Sequence, residues 1–456
     1  MYRPFASGSQ ETSGIDGVRW YDLGMKYKLF PTLFLAITMP VAAISEVTPG
    51  LGKAIPARSA GWQRNSVPSS PTTFDVRDFG ASQDSQPADN AKAIQKALDT
   101  CSARGGGKVI VPKGVWNCGT LWLRSKTELH LAEGAVLKAS GNLADYNAED
   151  AYPENWGCPA EEWNGRHFII AREAEDFAIT GPGAIDGNSG VFFEDRPRHV
   201  NPKAIGWTQG MRKARDRDKL RPGQLVALIR CNGIFVGEGL TISNSPCWCL
   251  YFYGCTNAVV KKYTVRNGPT DGNTDGVDID CSHNVSVSYA DIVTGDDGIA
   301  IRASGKRFVG GAFVAPPCSH IYISHCDLTA EAQGIRIGVG EGLISDVLIE
   351  DVTVHRGANG IAFDTYYGKK EGCGVDIENV TFRNFTVEDC YSNYRFRAGG
   401  DALKFGIRSV LFENCFFGAM LPGIRDGDSA ASVSDVRFVG CTLAPRSNSR
   451  FGHLMR

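Results

Sequence analysis

A repeat of short apolar runs constrains this chain more than any other feature. The runs NGIFVGEGLTI (232–242), NAVVKKYTV (257–265), NVSVSYADIV (284–293), HIYISHCDL (320–328), DVLIEDVTV (346–354), NVTFRNFTV (379–387), SVLFENCFF (409–417) and DVRFVGCTL (435–443) share the form N/D-V-x-I-x-x-x-x-V/I. Their starts advance from 232 to 257 to 284, and later from 320 to 346. That is a unit of roughly 25 residues with longer insertions, inside the period range of solenoids. Such a unit cannot bury its apolar positions alone and must stack on its neighbours. No helical periodicity lies between the runs, so leucine-rich and ankyrin-type repeats are excluded. Short strands, Gly-rich turns and Asn at turn positions predict an all-β parallel β-helix, in which each rung pairs with the next at about 4.8 Å.

The remaining segments are organised around that solenoid. Residues 25–45 place Lys26 and Lys28 before an apolar stretch and Ala42, Ala43 and Ser45 after it, a secretory pattern, so residues 1–45 are expected to be a signal or anchor segment and the protein secreted or periplasmic. Residues 46–72 are rich in Pro, Ser and Gly and read as a linker. Residues 73–456 form a single domain. Near its start, Asp89–Arg104 carries Ala93, Ile94, Ala97, Leu98 and Cys101 at i, i+3, i+4 spacing, which predicts one short capping helix with Asp89 as its cap. The polar stretch 140–224 interrupts the repeat, and its Trp156, Trp163 and Trp207 are candidates for stacking on sugar rings.

A net charge of −2 excludes a partner held by bulk electrostatics, and nucleic acid with it. Fourteen cysteines permit disulfides in an exported protein. Cys231, Cys255, Cys281 and Cys318 each fall just before a strand-like run, however, which favours stacking as small buried hydrophobes. No CxxC pair has zinc spacing, so neither metal nor cofactor is expected. His283, His320, His325 and His355 have no partner motif and are read as structural.

Two consecutive rungs carry acid: NTDGVDID at 273–280 and TGDDGIAIRAS at 294–304. Aligning Val277/Ile279 with Ile299/Ile301 gives an offset of 22 that stacks Asp275 beside Asp297, with Asp296 adjacent. Like charges so close raise at least one pKa and cost stability, a cost rarely retained for folding alone. One carboxyl protonated and another ionised is the pair of states that glycosidic hydrolysis needs. Strict alternation would put Asp275 and Asp297 on the buried face, so the cluster requires both at strand entrances, with Gly276 and Gly298 breaking the alternation.

The NTDG segment followed one rung later by GDD, preceded by RPGQL and LTISNSPCW, resembles the polygalacturonase-like family of glycoside hydrolases over most of the chain from residue 73 to about 390. The resemblance implies a right-handed parallel β-helix and hydrolysis with inversion. Asp296 would be the general acid, and Asp275 and Asp297 would activate water. Inversion in turn implies carboxyls about 6.5–9.5 Å apart. The chain departs from the family in two places. Gln333 of AQGIRIG stands where the family has the histidine of Gly-His-Gly, and Ala362 and Asp364 of GIAFDT stand where it has the cations of Arg-Ile-Lys. The usual clamp on a uronate is thus replaced, and Asp364 would repel one. Arg302 and Arg336, of outward parity, are partial substitutes.

Asn273, Arg302, Gln333, Arg336, Asp364 and Tyr366 are therefore the expected sugar contacts, with Tyr367 beside them. The expected activity is hydrolysis, by a monomer, of a pectic or related polysaccharide other than plain polygalacturonate. Two rival readings share the fold: a lyase whose clustered Asp hold Ca²⁺ with Arg302 as base, and a catalytically silent carbohydrate-binding β-helix.

Overall fold

The computed structural model describes residues 71–151, 165–193, 221–304, 306–307, 313–314, 316–366, 374–398, 405–426 and 433–444. Residues 1–45, Trp156, Trp163, Trp207 and Tyr367 lie outside them. Among the described residues no helix is long and apolar enough to cross a membrane.

The chain coils into three stacked parallel ladders. One begins Thr73–Asp75, Gly107–Val111, Thr127–Leu131, Glu175–Thr180, Asn232–Gly237 and continues to Val433–Val439. A second begins Gly114–Cys118, Ala135–Ala139 and Ala184–Asp186. The third carries the acids: β1 (Val226–Ile229), β2 (Leu250–Tyr253), β3 (Val277–Asp280), β4 (Ile299–Ala303), β5 (Gln333–Gly340), the end of the long strand β6 (Leu343–Asp364), and the end of β7 (Thr386–Arg397). Among the described residues the one antiparallel pair is Lys306–Arg307 with Phe313–Val314.

Stacking explains the repeat. Inward positions form continuous columns, such as Val226, Leu250, Val277, Ile299, Ile335 and Ile361, all fully buried. Each such side chain buries apolar area at about 25 cal/mol per Å² only because the next rung covers it. The polar residue that opens each run is equally forced. Asn257, Asn284, His320, Asp346, Asn379, Ser409 and Asp435 occupy one corner column and all have φ between 50° and 60°. The left-handed region tolerates Asn and Asp better than other non-glycine residues. Asn284 and Asn379 are thus ladder residues: Asn284 Nδ2 donates to Asn257 Oδ1, and Asn379 Nδ2 to Asp346 Oδ1, at 2.5 Å each. The histidines also pack against neighbouring rungs, His283 against His320 with tilted rings and His325 stacked on Tyr289.

Two local expectations are corrected. The helix α1 spans Pro87–Ala103, and its N-cap is Gln86, because Pro87 suits the first helical turn; Asp89 lies inside that turn. The predicted apolar face Ala93, Ile94, Ala97, Leu98 and Cys101 is the buried one. The cysteines of the described residues are free thiols. The ladder registers put Ser282, not Cys281, in the column of Cys231, Cys255 and Cys318.

Candidate active site

A column of glycines sets the geometry of the acids. A Cβ on Gly276 would lie 2.6 Å from the Gly298 carbonyl oxygen, one on Gly298 2.6 Å from that of Gly334, and one on Gly334 2.7 Å from that of Gly360. Successive rungs therefore touch backbone to backbone just before β3 and β4, at the start of β5 and near the end of β6, which only glycine permits. The residue before each glycine is carried into a second column: Asp275, Asp297, Gln333, Asn359. Both aspartates precede their strands, so they escape the inward alternation of Val277 and Ile299. The Gly276 amide donates to the Asp297 carbonyl at 3.0 Å, and Val277 pairs with Ile299 at the expected offset.

Asp275, Asp296 and Asp297 each offer a carboxylate oxygen, and the three oxygens lie within 4.8 Å of one another. This is tighter than the separation of about 6.5–9.5 Å expected from inversion, and closer to the spacing of about 5 Å usual for retention. The three acids are fixed differently. Asp296 Oδ2 accepts the Asn273 backbone N–H at 2.7 Å, while the Asn273 side-chain oxygen is held by Arg221 at 3.1 Å. Asp297 Oδ1 accepts the Gln333 backbone N–H at 3.0 Å, and its Oδ2 faces Arg336 Nε at 2.8 Å. Asp275 Oδ1 is buried without a hydrogen-bond partner. Asp296 keeps 8% exposure, against 3% for Asp275 and 1% for Asp297.

Burial pushes all three carboxyls up. For Asp275 the charges of Asp296, Asp278 and Asp297 add to burial and carry it well above the carboxylate range. Asp296 is raised by burial, against the pull of Arg336 and of the Asn273 amide. Asp297 rises to about 7 through burial, with Arg336 opposing and Asp296 assisting. The cluster thus retains protons near neutrality, and its steps belong to the group rather than to one residue. A hard cation would need six or more oxygen ligands. The guanidinium lying against Asp297 makes this a poor donor set for one.

The expected sugar contacts divide. Arg336 lies beside the triad. Arg302 does not face a sugar: it is 1% exposed, with Nη1 3.7 Å from Asp278 Oδ1, Nε 3.9 Å from Asp280 Oδ2, and its guanidinium 4.5 Å from the centroid of the Trp248 ring. Its outward parity is correct, but Trp248 and the acids of β3 cover it. The Gln333 side chain is buried in its own column, its Oε1 taken by Asn359 Nδ2 at 2.6 Å, and Ser392 continues the ladder. Asn273 contributes its backbone N–H, and Tyr366 is half-buried just past the end of β6.

The repulsion expected from Asp364 is overturned. Its carboxylate is fully buried, bound by Arg395 Nη2 at 3.0 Å to both oxygens, and lies 3.5 Å from Arg397 Nε and 3.8 Å from Arg336 Nε. Burial alone would raise it, but Arg395, Arg397 and Arg336 outweigh burial and hold it at about 2. Three guanidiniums thus approach this one carboxylate, one of them shared with Asp297. Register places Arg395 opposite Ala362 and Arg397 opposite Asp364, so two cations stand one rung beyond the position where the resemblance placed them. They lie beyond GIAFDT, the last segment that the resemblance covers with a motif. The alternation in Tyr394-Arg395-Phe396-Arg397, with both arginines of one parity, was the available signal. Arg221 and Trp248 fall in the RPGQL and LTISNSPCW segments that precede the acids, but the sequence alone assigns neither a role at the triad.

A right-handed parallel β-helix with an acid triad at neighbouring strand entrances defines a glycosidase of the polysaccharide-cleaving kind. The chain belongs to the glycosyl hydrolases family 28, whose family model matches residues 101–397. It is 28% identical over 324 residues to an endo-polygalacturonase of Pectobacterium carotovorum subsp. carotovorum, covering 65% of this chain and 77% of that one. It is 24% identical over 384 residues to a probable rhamnogalacturonase C of Aspergillus flavus, covering 80% and 73%. The same fold occurs in the exopolygalacturonase of Thermotoga maritima, with a TM-score of 0.61 and 17% identity over 83% of this chain and 93% of that one.

Proposed function

We propose that this chain is an inverting hydrolase of a pectic polysaccharide other than plain polygalacturonate, secreted or periplasmic as its signal-like segment suggests. Asp296 is the general acid, because it is the most exposed of the triad and must reach the leaving oxygen. Asp275 and Asp297 hold the attacking water. Two oxygens up to 4.8 Å apart can share a water hydrogen-bonded to each at about 2.75 Å, with an angle of roughly 120° at the water. Such a water attacks directly, with no covalent sugar intermediate, and that supports inversion despite the close spacing.

The observation that carries the substrate reading is the displaced charge. Ala362 offers nothing charged on the rung where the family's clamp would stand, while Arg395 and Arg397 keep partly open side chains one rung further. A neutral sugar at the triad with an acidic sugar nearer Arg395 and Arg397 fits this pattern. The relatives named as polygalacturonase and rhamnogalacturonase bracket that range of backbones.

The test is a product screen over polygalacturonate, rhamnogalacturonan and xylogalacturonan, with the first-formed anomer followed by NMR. New reducing ends of inverted configuration, fastest on a backbone mixing neutral and acidic sugars, are expected. A preference for polygalacturonate refutes the substrate reading, and retained configuration refutes the water assignment. Unsaturated products that vanish with chelator would install the lyase instead, and binding without turnover the silent β-helix.

A further inference from the structure

The triad is joined to the displaced arginines by a single side chain. Arg336 projects from β5 between two alanines, Ala300 on the rung before and Ala362 on the rung after. Neither fills the space over the sheet, so the guanidinium can lie along it. Its Nε is 2.8 Å from Asp297 Oδ2 on one side and 3.8 Å from Asp364 Oδ2 on the other. Asp364 is anchored in turn by Arg395 and Arg397.

We infer that Arg336 is a positioning residue: it orients Asp297 as the base and favours its ionised form, and Asp364 limits how strongly it does so. The inference rests on the hydrolase reading. It moves Arg336 from sugar contact to a role exerted through Asp297.

The charge balance around Asp297 explains why such a residue is needed. Asp296 in its own turn, Asp275 and Asp278 from the preceding rung, and Asp364 from further along all oppose a negative charge there. Arg336 is the cation that favours it. As the glycosidic bond breaks, the water gives its proton to Asp297 and Asp296 gives its own to the leaving oxygen. Without the guanidinium, Asp297 would hold a proton beforehand and could not accept that of the water. Asp364 matters because it competes for the same guanidinium: two acids share it, so its pull on Asp297 is partial.

The experiment compares pH profiles of kcat/KM for the full chain and the variants Arg336→Gln, Arg336→Lys and Asp364→Asn. An opposite charge at this range moves an aspartate by about 1–3 pH units. Arg336→Gln is therefore expected to shift the acid limb to higher pH by at least about one unit, with kcat lost below the new limb and KM unchanged. Arg336→Lys restores the limb, and Asp364→Asn moves it to lower pH. An unmoved limb with a raised KM in Arg336→Gln would return Arg336 to sugar binding and overturn the inference. If Arg336→Gln does not fold, a limb that stays in place or rises in Asp364→Asn overturns it equally. Carboxyl ¹³C titration of the same proteins reads the Asp297 midpoint without substrate. An upward shift there in Arg336→Gln supports the inference even if no tested polysaccharide is cleaved, so its failure and that of the hydrolase reading remain distinguishable.

Discussion

The corner column of the solenoid and its acid face are built by the same operation and have opposite electrostatics. At the corner, stacking sets Asn284 on Asn257 and Asn379 on Asp346, so each polar group meets a partner of complementary hydrogen bonding. Further round, His355 is bracketed by Asp327 at 2.9 Å and Glu388 at 3.0 Å. On the acid face the same rung-to-rung offset sets Asp275 beside Asp297 and leaves Asp275 Oδ1 without a hydrogen bond. A ladder repeats whatever it is given, and what it repeats at the corner stabilises the coil. Where stacking works against stability, function explains the residues better than folding does.

The contrast breaks most directly at Asp296. Replacing it with Asn should cost roughly 10²- to 10⁴-fold in turnover, the usual weight of a general acid. Thermal stability should stay equal or rise, because a like charge is removed from a crowded cluster. A variant that is both active and less stable would make the acid face just another ladder. Asp364 sharpens the point from the other side. It sits on the same face but is fully paired, so Asp364→Ala, by stranding its arginines, should lose about 3–5 kcal/mol in denaturant unfolding. If Asp364→Ala is neutral, pairing is not what separates the two kinds of acid.

The pH dependence of stability should separate them too. The folded-state pKa of Asp297 is raised from 3.8 to about 7. The native state therefore binds more protons than the unfolded chain between these values, and stability falls as pH rises through that window. Asp297→Asn, which cannot ionise, should remove part of this fall, so its advantage in Tm over the parent should grow from about pH 4 to about pH 7. Asp364 has the opposite sign: held at about 2, it contributes stability that is complete above its unfolded pKa and lost as pH drops towards 2. A Tm difference for Asp297→Asn that is flat with pH would mean that its environment in solution is polar.

The sequence made the repeat, the helix and the stacking of Asp275 on Asp297 legible because all three are periodic. Gly276 and Gly298 marked the places where alternation had to fail, and the contacts of their missing Cβ atoms give the cause. The partners of the outward charges were not legible. Arg302 and Arg336 have the same parity, yet one is covered by Trp248 and the other lies at the edge of the triad, and nothing in a strand's alternation tells them apart. Asp364 read as a lone acid because its counterions stand 31 and 33 positions later, at a rung offset of 33 rather than the mean repeat.

The smallest effect lies further round, at His355, and it tests whether complementary stacking contributes measurably there. His355 is partly exposed, and its burial lowers the imidazole pKa, but hydrogen bonds to Glu388 and Asp327 outweigh burial and leave it raised. A raised folded pKa means that the stabilisation is complete below the unfolded value of about 6.5 and disappears as pH climbs through the folded one. His355→Gln should therefore be destabilising near pH 5, by less than about 1 kcal/mol because solvent screens both carboxylates, and neutral near pH 9. Added salt should shrink even the low-pH difference. A loss that is equal at both pH values would assign the role of His355 to packing between rungs, and its ladder with Asp327 and Glu388 would then owe its stability to shape rather than to complementary charge.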